Sequence, residues 1–148
     1  MQNLTFHFLQ ESDIPELEVM FTQDNPGDEP IEFNPAQIRK FMTEPQNIAF
    51  VAKLDGKVIG CMYGYSLTMI DEEEKEFFIY GVDVHPEHHN KGYGTELMKY
   101  VIDWLDDEGF RDTYVMTHSD NPRACRCYEK AGMECDDKAR LFSVEFDD

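Results

Sequence analysis

The sequence predicts a mixed α/β domain, in which a sheet carries helices on both faces. Three observations indicate this class. Runs of apolar or alternating residues typical of strands recur along the chain, and amphipathic segments with helical periodicity lie between them. The third observation is size, because 148 residues with 41% hydrophobic and 13% aromatic content match one ordinary domain with its own core. We therefore expect a single domain over residues 1–148.

The first half of the chain predicts three strands and two helices. Asp55-Gly56 is a strong hairpin signal, so the runs on either side should pair antiparallel. Pro15 and Pro35 each lie in the first turn after a polar residue that can cap a helix. The predicted elements are a strand over 3–9, a helix over 14–22, an irregular acidic loop over 23–33, a helix opened by Asn34 and Pro35, and strands over 47–54 and 58–68.

The second half of the chain alternates strands with helices. One β-rich run stops at His85-Pro86, because proline cannot donate to the strand ladder. The helix that follows has an apolar stripe that should pack on the sheet, formed by Leu97, Val101, Trp104 and Leu105. The predicted elements are a strand over 77–84, a helix from about Gly92, a strand over 114–117, a helix over 121–130 ended by Gly132, and a strand over 141–146.

Charge excludes some classes of partner. The formal net charge is −18, so the surface repels nucleic-acid phosphates. Apolar runs fall short of the ~20 residues that span a bilayer, and the N-terminus lacks the pattern of a signal peptide, so no membrane partner and a cytoplasmic location are expected. Two interpretations of the acidic surface remain open: it only solvates the protein, or part of it lines a cleft that attracts a polycation.

Cysteine and histidine spacing does not favour a metal site or a disulfide framework. The four cysteines form no C-x-x-C pair, and three of them lie in one short segment, so we expect free thiols. His85, His88 and His89 are close in sequence, but Pro86 breaks a helical register and no second cluster completes a tetrahedral set. We expect no metal.

One motif predicts an anion-binding site. The strand over 77–84 leads into the segment His88-His89-Asn90-Lys91-Gly92-Tyr93-Gly94-Thr95 and then into a helix. Glycines at a helix start let a pyrophosphate approach the unpaired N–H groups and the positive end of the helix dipole. The pattern fits neither a P-loop nor a Rossmann fingerprint, which would need glycine at Leu97.

A second motif makes the resemblance specific. The segment from Asn121 to Met133 has the pattern N-x-x-A-x-x-x-Y-x-x-x-G followed by a hydrophobic residue. Together with H-x-x-G-x-G it resembles the acetyl-CoA-binding and C-terminal motifs of the GNAT superfamily of N-acetyltransferases. The resemblance implies the GNAT fold, a mostly antiparallel sheet with helices on both faces and a splayed pair of parallel strands, with acetyl-CoA as cosubstrate.

The same resemblance implies roles for individual residues. The backbone of Val82 and Val84 would pair with pantetheine, and the amides of residues 90–95 would hold the pyrophosphate. Tyr128 would stand beside the thioester sulfur. His89 departs from the family pattern, which usually has Gln or Arg there. The implied cofactor-binding residues are Val82, Val84, His89, Asn90, Lys91, Gly92, Tyr93, Gly94, Thr95 and Asn121.

Acetyl transfer to an amine requires a neutral nucleophile, stabilisation of the carbonyl oxygen and a proton for the departing thiolate. Tyr128 is the candidate acid, or at least a hydrogen-bond donor to the sulfur, and the N–H of Val82 could polarise the carbonyl. Glu76 is the first candidate for the base, with Asp83 and His118 as alternatives. Each of these three residues also has a purely structural interpretation. Glu76 would be a solvated residue of a turn, Asp83 would lie on the opposite face of its strand, and His118 would cap the following loop.

A narrower resemblance concerns the acceptor. The run from Glu76 to Val84, the following Glu87-His88 and the acidic, aromatic tail resemble the type I aminoglycoside 3-N-acetyltransferases. Gly81 departs from that family, which tends to have aspartate there. The resemblance implies that carboxylates contact the substrate ammonium groups, namely Asp83, Glu145 and Asp147, with Asp28, Glu29 and Glu32 as further candidates.

The predicted function is therefore acetyl transfer from acetyl-CoA to a primary amine of a cationic small molecule, foremost an aminoglycoside at its 3-N position, which would confer antibiotic resistance. Direct attack in a ternary complex is expected, because no histidine pattern marks Cys125 or Cys127 as a nucleophile. Two alternatives stay open: a GNAT enzyme for a polyamine, amino acid or protein amine, and a non-catalytic acyl-CoA sensor. The resemblance also allows a homodimer.

Overall fold

The computed structural model describes residues 2–22 and 32–147. It contains one five-stranded sheet in the order β1-β2-β3-β4-β5, antiparallel except for the parallel pair β4–β5. This confirms the predicted mixed α/β class. The elements are β1 (Leu4–Phe8), α1 (Ile14–Phe21), α2 (Pro35–Met42), β2 (Asn47–Leu54), β3 (Lys57–Leu67), β4 (Glu76–Val84), α3 (Tyr93–Asp107), β5 (Asp112–Val115) and α4 (Pro122–Lys130), with short 3₁₀ turns at Glu11–Asp13 and Pro86–His88.

Most predicted elements are present, and three predictions need comment. The strand predicted over 141–146 is wrong, since this segment forms no strand and its residues are exposed. An alternating pattern becomes a strand only where a second strand pairs with it, and within the described residues nothing pairs here. The strand predicted over 114–117 has the same length but lies two residues earlier, at Asp112–Val115. Most of the predicted loop over 23–33 lies outside the described residues.

The sheet separates two apolar layers. On one face α3 packs against Phe50, Phe77 and Ile79, and its own Leu97, Val101 and Leu105 are buried, as its stripe predicts. Trp104 is only partly buried and lies edge-on to Phe50, with ring centroids 5.2 Å apart. The second layer lies under α1, and consists of Leu17, Met20, Val51, Val58 and Cys61. Among the described helices none is long and apolar enough to cross a bilayer.

Polar contacts fix α1 to the sheet at its N-terminal end. The carboxylate of Asp13 is buried, accepts from the Gln10 N–H at 2.9 Å and pairs with Lys53 at 3.0 Å. One turn later, Glu16 accepts from the Val58 N–H at 2.6 Å. Because a buried carboxylate is costly unless it is paired and hydrogen-bonded, these contacts determine where α1 lies on the sheet.

A register shift between Tyr63 and Gly64 in β3 leaves Tyr80 of β4 as the extra residue of a bulge. The ring of Tyr63 then lies over Gly81, in the space that a side chain at position 81 would occupy. This explains why glycine stands where the aminoglycoside 3-N family tends to have aspartate. A carboxylate at position 81 would collide with Tyr63.

The parallel pair is short. β4 and β5 pair from Glu76–Asp112 to Ile79–Val115, and the described part of the chain shows no pairing between them beyond that point. β4 continues to Val84, whereas β5 ends. The sheet is therefore open at the carboxyl ends of these two strands. Along the chain, α3 follows β4 and α4 follows β5, so both helices begin at this end of the sheet.

Candidate active site

The opening between β4 and β5 exposes one backbone edge of β4. Val82 and Val84 pair with Met62 and Gly60 of β3 on the other edge. A strand edge without a neighbour can bind an extended amide chain through main-chain hydrogen bonds. The two strand residues predicted to contact the cofactor thus lie at an edge suited to that role.

The loop after β4 presents backbone N–H groups. Gly92 caps α3 in the left-handed conformation, with φ +84°, and Asn90 has φ +61°. The first helical hydrogen bond of α3 runs from the Glu96 N–H to the Gly92 carbonyl at 3.1 Å. The N–H groups of Tyr93, Gly94 and Thr95 precede it, where a helix offers no acceptor four residues back. Together with the dipole, this end of α3 suits an anion.

The two glycines of this loop are required for different reasons. Gly92 needs its left-handed backbone, which side chains disfavour. Gly94 instead permits close packing: a Cβ there would lie 3.3 Å from Cys127 Sγ and 3.4 Å from Val84 Cγ2. Glycine at position 94 therefore lets α4 lie against the first turn of α3.

The imidazole of His89 connects three elements. Its Nε2 lies 2.7 Å from the Val84 carbonyl oxygen and its Nδ1 lies 2.7 Å from Nη1 of Arg123. A carbonyl only accepts and a guanidinium only donates, so Nε2 carries the hydrogen and Nδ1 accepts. His89, predicted as a cofactor contact, uses both ring nitrogens in bonds within the protein and holds Arg123 beside the loop after β4.

Two cationic side chains lie at this loop. Lys91 is part of it, and Arg123 contacts it through His89. The sequence pattern gives no role to Arg123, because only its bond to His89, 34 residues away in the chain, brings it there. Nδ1 of His88 is buried and has no hydrogen-bond partner among the described residues. Burial and the nearby Lys91 lower the pKa of His88, which leaves a neutral, unpaired group at the loop.

Two residues of the second motif lie on α4. Asn121 caps this helix, its Oδ1 accepting from the Ala124 N–H at 3.2 Å. Tyr128 is half-buried against the core layer under α3. Burial, with smaller contributions from Cys127, Asp83 and Cys125, raises the pKa of Tyr128 to about 12. The phenol is therefore a neutral hydrogen-bond donor at physiological pH.

Among the predicted carboxylates, Asp83 is the one that the structure brings toward Tyr128. Asp83 is exposed on β4 opposite Cys61, and its negative charge contributes to the raised pKa of Tyr128, Tyr63 and Cys61. Burial is the larger cause in all three and raises the pKa of Cys61 to about 12. The negative charge of Asp83 thus acts on two phenols and one thiol, all of which stay protonated.

The other predicted carboxylates lie elsewhere. Glu76 is six residues before Val82, about 20 Å along an extended strand, and its charge acts on Arg111 and Tyr114. Glu145 and Asp147 lie on the exposed segment after α4, and Glu32 is exposed. Asp28 and Glu29 lie outside the described residues. His118 contributes its backbone carbonyl, which accepts from the Asn121 N–H at 3.0 Å.

An apolar cavity of about 320 Å³ lies between α1, α2 and β3. Its lining includes Leu17, Phe41, Cys61, Tyr63 and Tyr65. Gln37 contributes a side-chain amide to the lining. This cavity is on the sheet face of Tyr63 and Asp83. It is suited to an apolar or aromatic group.

Metal and thiol chemistry find little support in the described residues. They contain no group of three or more His, Cys, Asp or Glu side chains placed to hold a metal ion. All four cysteines are free. Burial raises the pKa of the Cys127 thiol, against a smaller opposing effect of its hydrogen bond with Thr95. Cys127 is therefore protonated and a poor nucleophile.

Comparison with known proteins decides the family. The model of the GNAT acetyltransferase family matches residues 14–133, a range that includes both motifs and the four elements around the opening, β4, α3, β5 and α4. The chain belongs to this family. It is accordingly an N-acetyltransferase that uses acetyl-CoA, and the open strand edge, the free amides and the paired Arg123 fit that cosubstrate.

Solved structures confirm the GNAT fold at low sequence identity. An aminoglycoside acetyltransferase from an uncultured soil metagenomic sample, in complex with sisomicin, has a TM-score of 0.82 at 19% identity and 97% coverage of both chains. Aminoglycoside N-acetyltransferase AAC(6')-Iy in complex with CoA has 0.77 at 17%, covering 99% of this chain and 97% of its own. Ribosomal-protein-alanine N-acetyltransferase from Brucella melitensis biovar Abortus 2308 has 0.75 at 14%, with 97% and 100% covered.

Arg123→Gln should weaken acetyl-CoA binding about fivefold, because it removes one partly solvated charge of about 1 kcal/mol from the anion-binding loop. Isothermal titration calorimetry would measure the effect. Arg126→Gln is the control, since it removes an equal charge from the exposed side of the same helix without the His89 bond. Equal losses in both variants would contradict a specific role for Arg123.

Proposed function

We propose that this GNAT enzyme acetylates a primary amine of a cationic small molecule, with an aminoglycoside at its 3-N position as the leading acceptor. The observation that carries the proposal is the exposed carboxylate of Asp83 near the open end of β4, whose charge contributes to the raised pKa of Tyr128. A carboxylate there attracts an ammonium group to the place where the acetyl group is transferred. We place this activity in the cytoplasm, and resistance to the antibiotic would be its consequence.

Two further facts support a cationic acceptor. The chain has a net charge of −18, which raises the local concentration of polycations and speeds their association. Two of the similar structures are aminoglycoside acetyltransferases, one of them in complex with sisomicin. The 3-N position is supported only by the resemblance of the β4 segment and the tail, and Gly81 departs from it.

Residues around the opening would share the work of binding. Acetyl-CoA supplies the activated acetyl group when bound. The backbone of Val82 and Val84 would pair with the pantetheine arm, and Asn121 would contact it through the amide nitrogen that does not cap α4. The pyrophosphate would lie at the loop amides of Asn90, Lys91, Gly92, Tyr93, Gly94 and Thr95, near Arg123.

Tyr128 would assist the departing thiolate as a hydrogen-bond donor. Its pKa of about 12 exceeds that of an ordinary thiol, about 8.5. Complete proton transfer from the phenol to the sulfur is therefore uphill, whereas a hydrogen bond to the developing negative charge is favourable. This gives Tyr128 a stabilising role rather than that of a strong acid.

Two carboxylates are candidates for the base that takes the amine proton. Glu76 is the first candidate from the sequence, but it lies at the far end of β4 beside Arg111 and would need a chain of waters. The charge of Asp83 acts on Tyr128, unlike that of Glu76, so Asp83 would receive the proton over a shorter path. We favour Asp83 on this placement. Direct attack by the amine agrees with a protonated Cys127.

A second candidate acceptor is an amine that carries an apolar group. The 320 Å³ cavity lined by Phe41, Tyr63 and Tyr65 lies on the same sheet face as Asp83 and favours such a group. An amino acid or the N-terminus of a peptide would place its side chain there and its ammonium group toward Asp83. An aminoglycoside would leave this cavity unused.

Thiol release from acetyl-CoA across a panel of amines tests the proposal. The panel holds gentamicin-type aminoglycosides, spermidine, free amino acids and peptides with apolar N-terminal residues. Turnover confined to aminoglycosides, with mass spectrometry placing the acetyl group on the 3-N nitrogen, is the expected result. Turnover confined to apolar amines would favour the second candidate, and CoA binding without turnover on any amine would favour a sensor.

Tyr128→Phe should lower kcat on the order of 100-fold and leave the KM for acetyl-CoA nearly unchanged, because it removes only the donor to the sulfur. Steady-state kinetics with the best acceptor would measure this. Tyr100→Phe, on α3 and partly exposed, is the matched hydroxyl deletion and should keep full activity. Unchanged kcat in Tyr128→Phe would remove this residue from the mechanism.

Asp83→Asn should reduce kcat/KM for the amine strongly and move the acidic limb of the pH profile upward, since the base and the ammonium contact are both lost. Glu76→Gln should change kcat/KM less than threefold. Comparison of the two pH–rate profiles measures the difference. A larger loss in Glu76→Gln would restore Glu76 as the base.

A further inference from the structure

Four aromatic rings pack together on the sheet face of Asp83. We call them the aromatic cluster, which consists of Phe41 of α2, Tyr63 and Tyr65 of β3, and Tyr80 of β4. The ring centroid of Tyr80 lies 5.7 Å from that of Tyr63 and 6.0 Å from that of Tyr65, and the latter two are 6.3 Å apart. Phe41 lies 5.6 Å from Tyr63 and 5.9 Å from Tyr65. Each ring therefore packs against at least two of the others.

The bulge in β4 brings Tyr63 and Tyr80 together. Tyr80 is the extra residue of this bulge, and the next residue, Gly81, pairs with Tyr63. Because Gly81 has no side chain, the Tyr63 ring lies over its backbone, in the space that a Cβ would fill. The planes of the Tyr63 and Tyr80 rings meet at 41°, whereas Tyr65 is nearly perpendicular to both. An aromatic surface thus covers the part of β4 that precedes Asp83.

Ring surface of this cluster is accessible to a ligand. Tyr63 and Tyr65 line the 320 Å³ cavity between α1, α2 and β3. Tyr80 is 60% exposed. A perpendicular contact places the edge of one ring on one face of its neighbour, and the other face of that neighbour can meet a further group. A ligand can therefore contact three tyrosine rings where the cavity lining meets Tyr80.

The electrostatics of the aromatic cluster favour a cation. Burial, with smaller contributions from Tyr65, Tyr80 and Asp83, raises the pKa of Tyr63 to about 12. Tyr63 therefore stays neutral at physiological pH, and the face of a neutral aromatic ring carries negative charge density. The charge of Asp83 acts on Tyr63, so a cation held by the rings is also attracted by this carboxylate.

The chemistry of the surface selects among cations. A primary ammonium group has three N–H donors and needs an acceptor for each, and ring faces do not provide three acceptors. An N-alkylated ammonium group has fewer donors or none, and its apolar substituents pack well on aromatic rings. Aromatic side chains accordingly recognise methylated ammonium groups. The aromatic cluster is thus better suited to an alkylated ammonium group than to a primary one.

Strand geometry gives the distance from the aromatic cluster to Asp83. Tyr80 is three residues before Asp83 on β4, and Tyr63 pairs with Gly81, two residues before Asp83. These offsets correspond to about 7–10 Å along an extended strand. One small molecule can therefore contact the aromatic cluster with one nitrogen and lie near Asp83 with another.

We propose that the aromatic cluster binds an N-alkylated ammonium group of the acceptor through cation–π contacts, while the primary amine of the same molecule lies near Asp83. The inference rests on the proposed function and narrows its acceptor to one class. That class is a small molecule whose primary amine and alkylated ammonium group are about 7–10 Å apart. The cation would lie against Tyr63, Tyr65 and Tyr80, and the apolar interior of the cavity would stay free of charge.

Three amines with the same six-methylene chain test this recognition. The first carries a primary amine and a trimethylammonium group. In the second, a tert-butyl group replaces the trimethylammonium group, which keeps the shape and removes the charge. The third is hexamethylenediamine, in which the second cation is a primary ammonium. Isothermal titration calorimetry on the full chain saturated with CoA measures binding without turnover. The trimethylammonium amine should bind about tenfold more tightly than the tert-butyl amine and at least as tightly as the diamine.

Variants of an exposed ring assign the effect to the aromatic cluster. Tyr80→Leu removes one ring and keeps an apolar side chain, so affinity for the trimethylammonium amine should fall about fivefold, and affinity for the tert-butyl amine should change less than about twofold. Tyr80→Phe keeps the ring and should bind like the wild type. Tyr114→Leu is the matched control, because this exposed ring stacks on Phe78 outside the aromatic cluster. It should leave all three affinities unchanged.

The failure of this proposal can be told apart from the failure of the proposed function. Equal affinities of the trimethylammonium and tert-butyl amines would overturn the cation site and leave a cavity that selects only apolar bulk. Tighter binding of the diamine than of the trimethylammonium amine would also overturn it, because hydrogen bonds would then hold the second cation. If none of the three amines bound, the cationic acceptor of the proposed function would be contradicted as well.

Discussion

β4 and β5 are hydrogen-bonded in parallel over only four residue pairs, and the site depends on where this pairing ends. Beyond Ile79 the edge of β4 is open to a ligand, and the chain turns from Val84 into the loop that starts α3. On the far side of the opening, α4 carries Tyr128. A longer parallel ladder would close this edge of β4. A ligand chain could then not lie along β4 and continue to the amides of the loop.

The loop after β4 forms a small positive region in an acidic protein. Helix-start amides, Lys91 and Arg123 offer positive charge or dipoles in a chain of net −18. His89 holds this arrangement together by accepting from Arg123 and donating to the Val84 carbonyl. Nearby, Asp83 presents negative charge on β4. Opposite charges therefore lie near the opening, and under the proposed function the positive one would serve the cosubstrate and the negative one an ammonium group.

Local patterns in the sequence are enough to predict much of this fold. The Asp55-Gly56 turn has positive φ at both residues, as a tight hairpin requires, and the stripe of Leu97, Val101 and Leu105 is buried. The two family motifs lead to the GNAT family and its cosubstrate. In each case the determining interactions lie within one turn or one helix, so a short segment of sequence is enough to predict them.

Interactions between distant parts of the chain are not predicted. The bulge at Tyr80 and the ring of Tyr63 over Gly81 depend on strand register, which alternation alone does not fix. Arg123 joins the loop only through His89. The strand predicted over 141–146 failed because an alternating pattern does not show whether a second strand lies beside it, and the distance of Glu76 from Val82 follows from strand length.

Hydrogen–deuterium exchange with and without acetyl-CoA tests the central claim that the opening between β4 and β5 is the cosubstrate site. Saturating acetyl-CoA should slow exchange in peptides covering residues 80–95 and 121–128 and leave the β2–β3 hairpin around 57–60 unchanged. Such protection would place pantetheine along β4 and the pyrophosphate at the start of α3. Binding that leaves residues 80–95 unprotected, or protects the α1–α2 side of the sheet instead, would contradict the account.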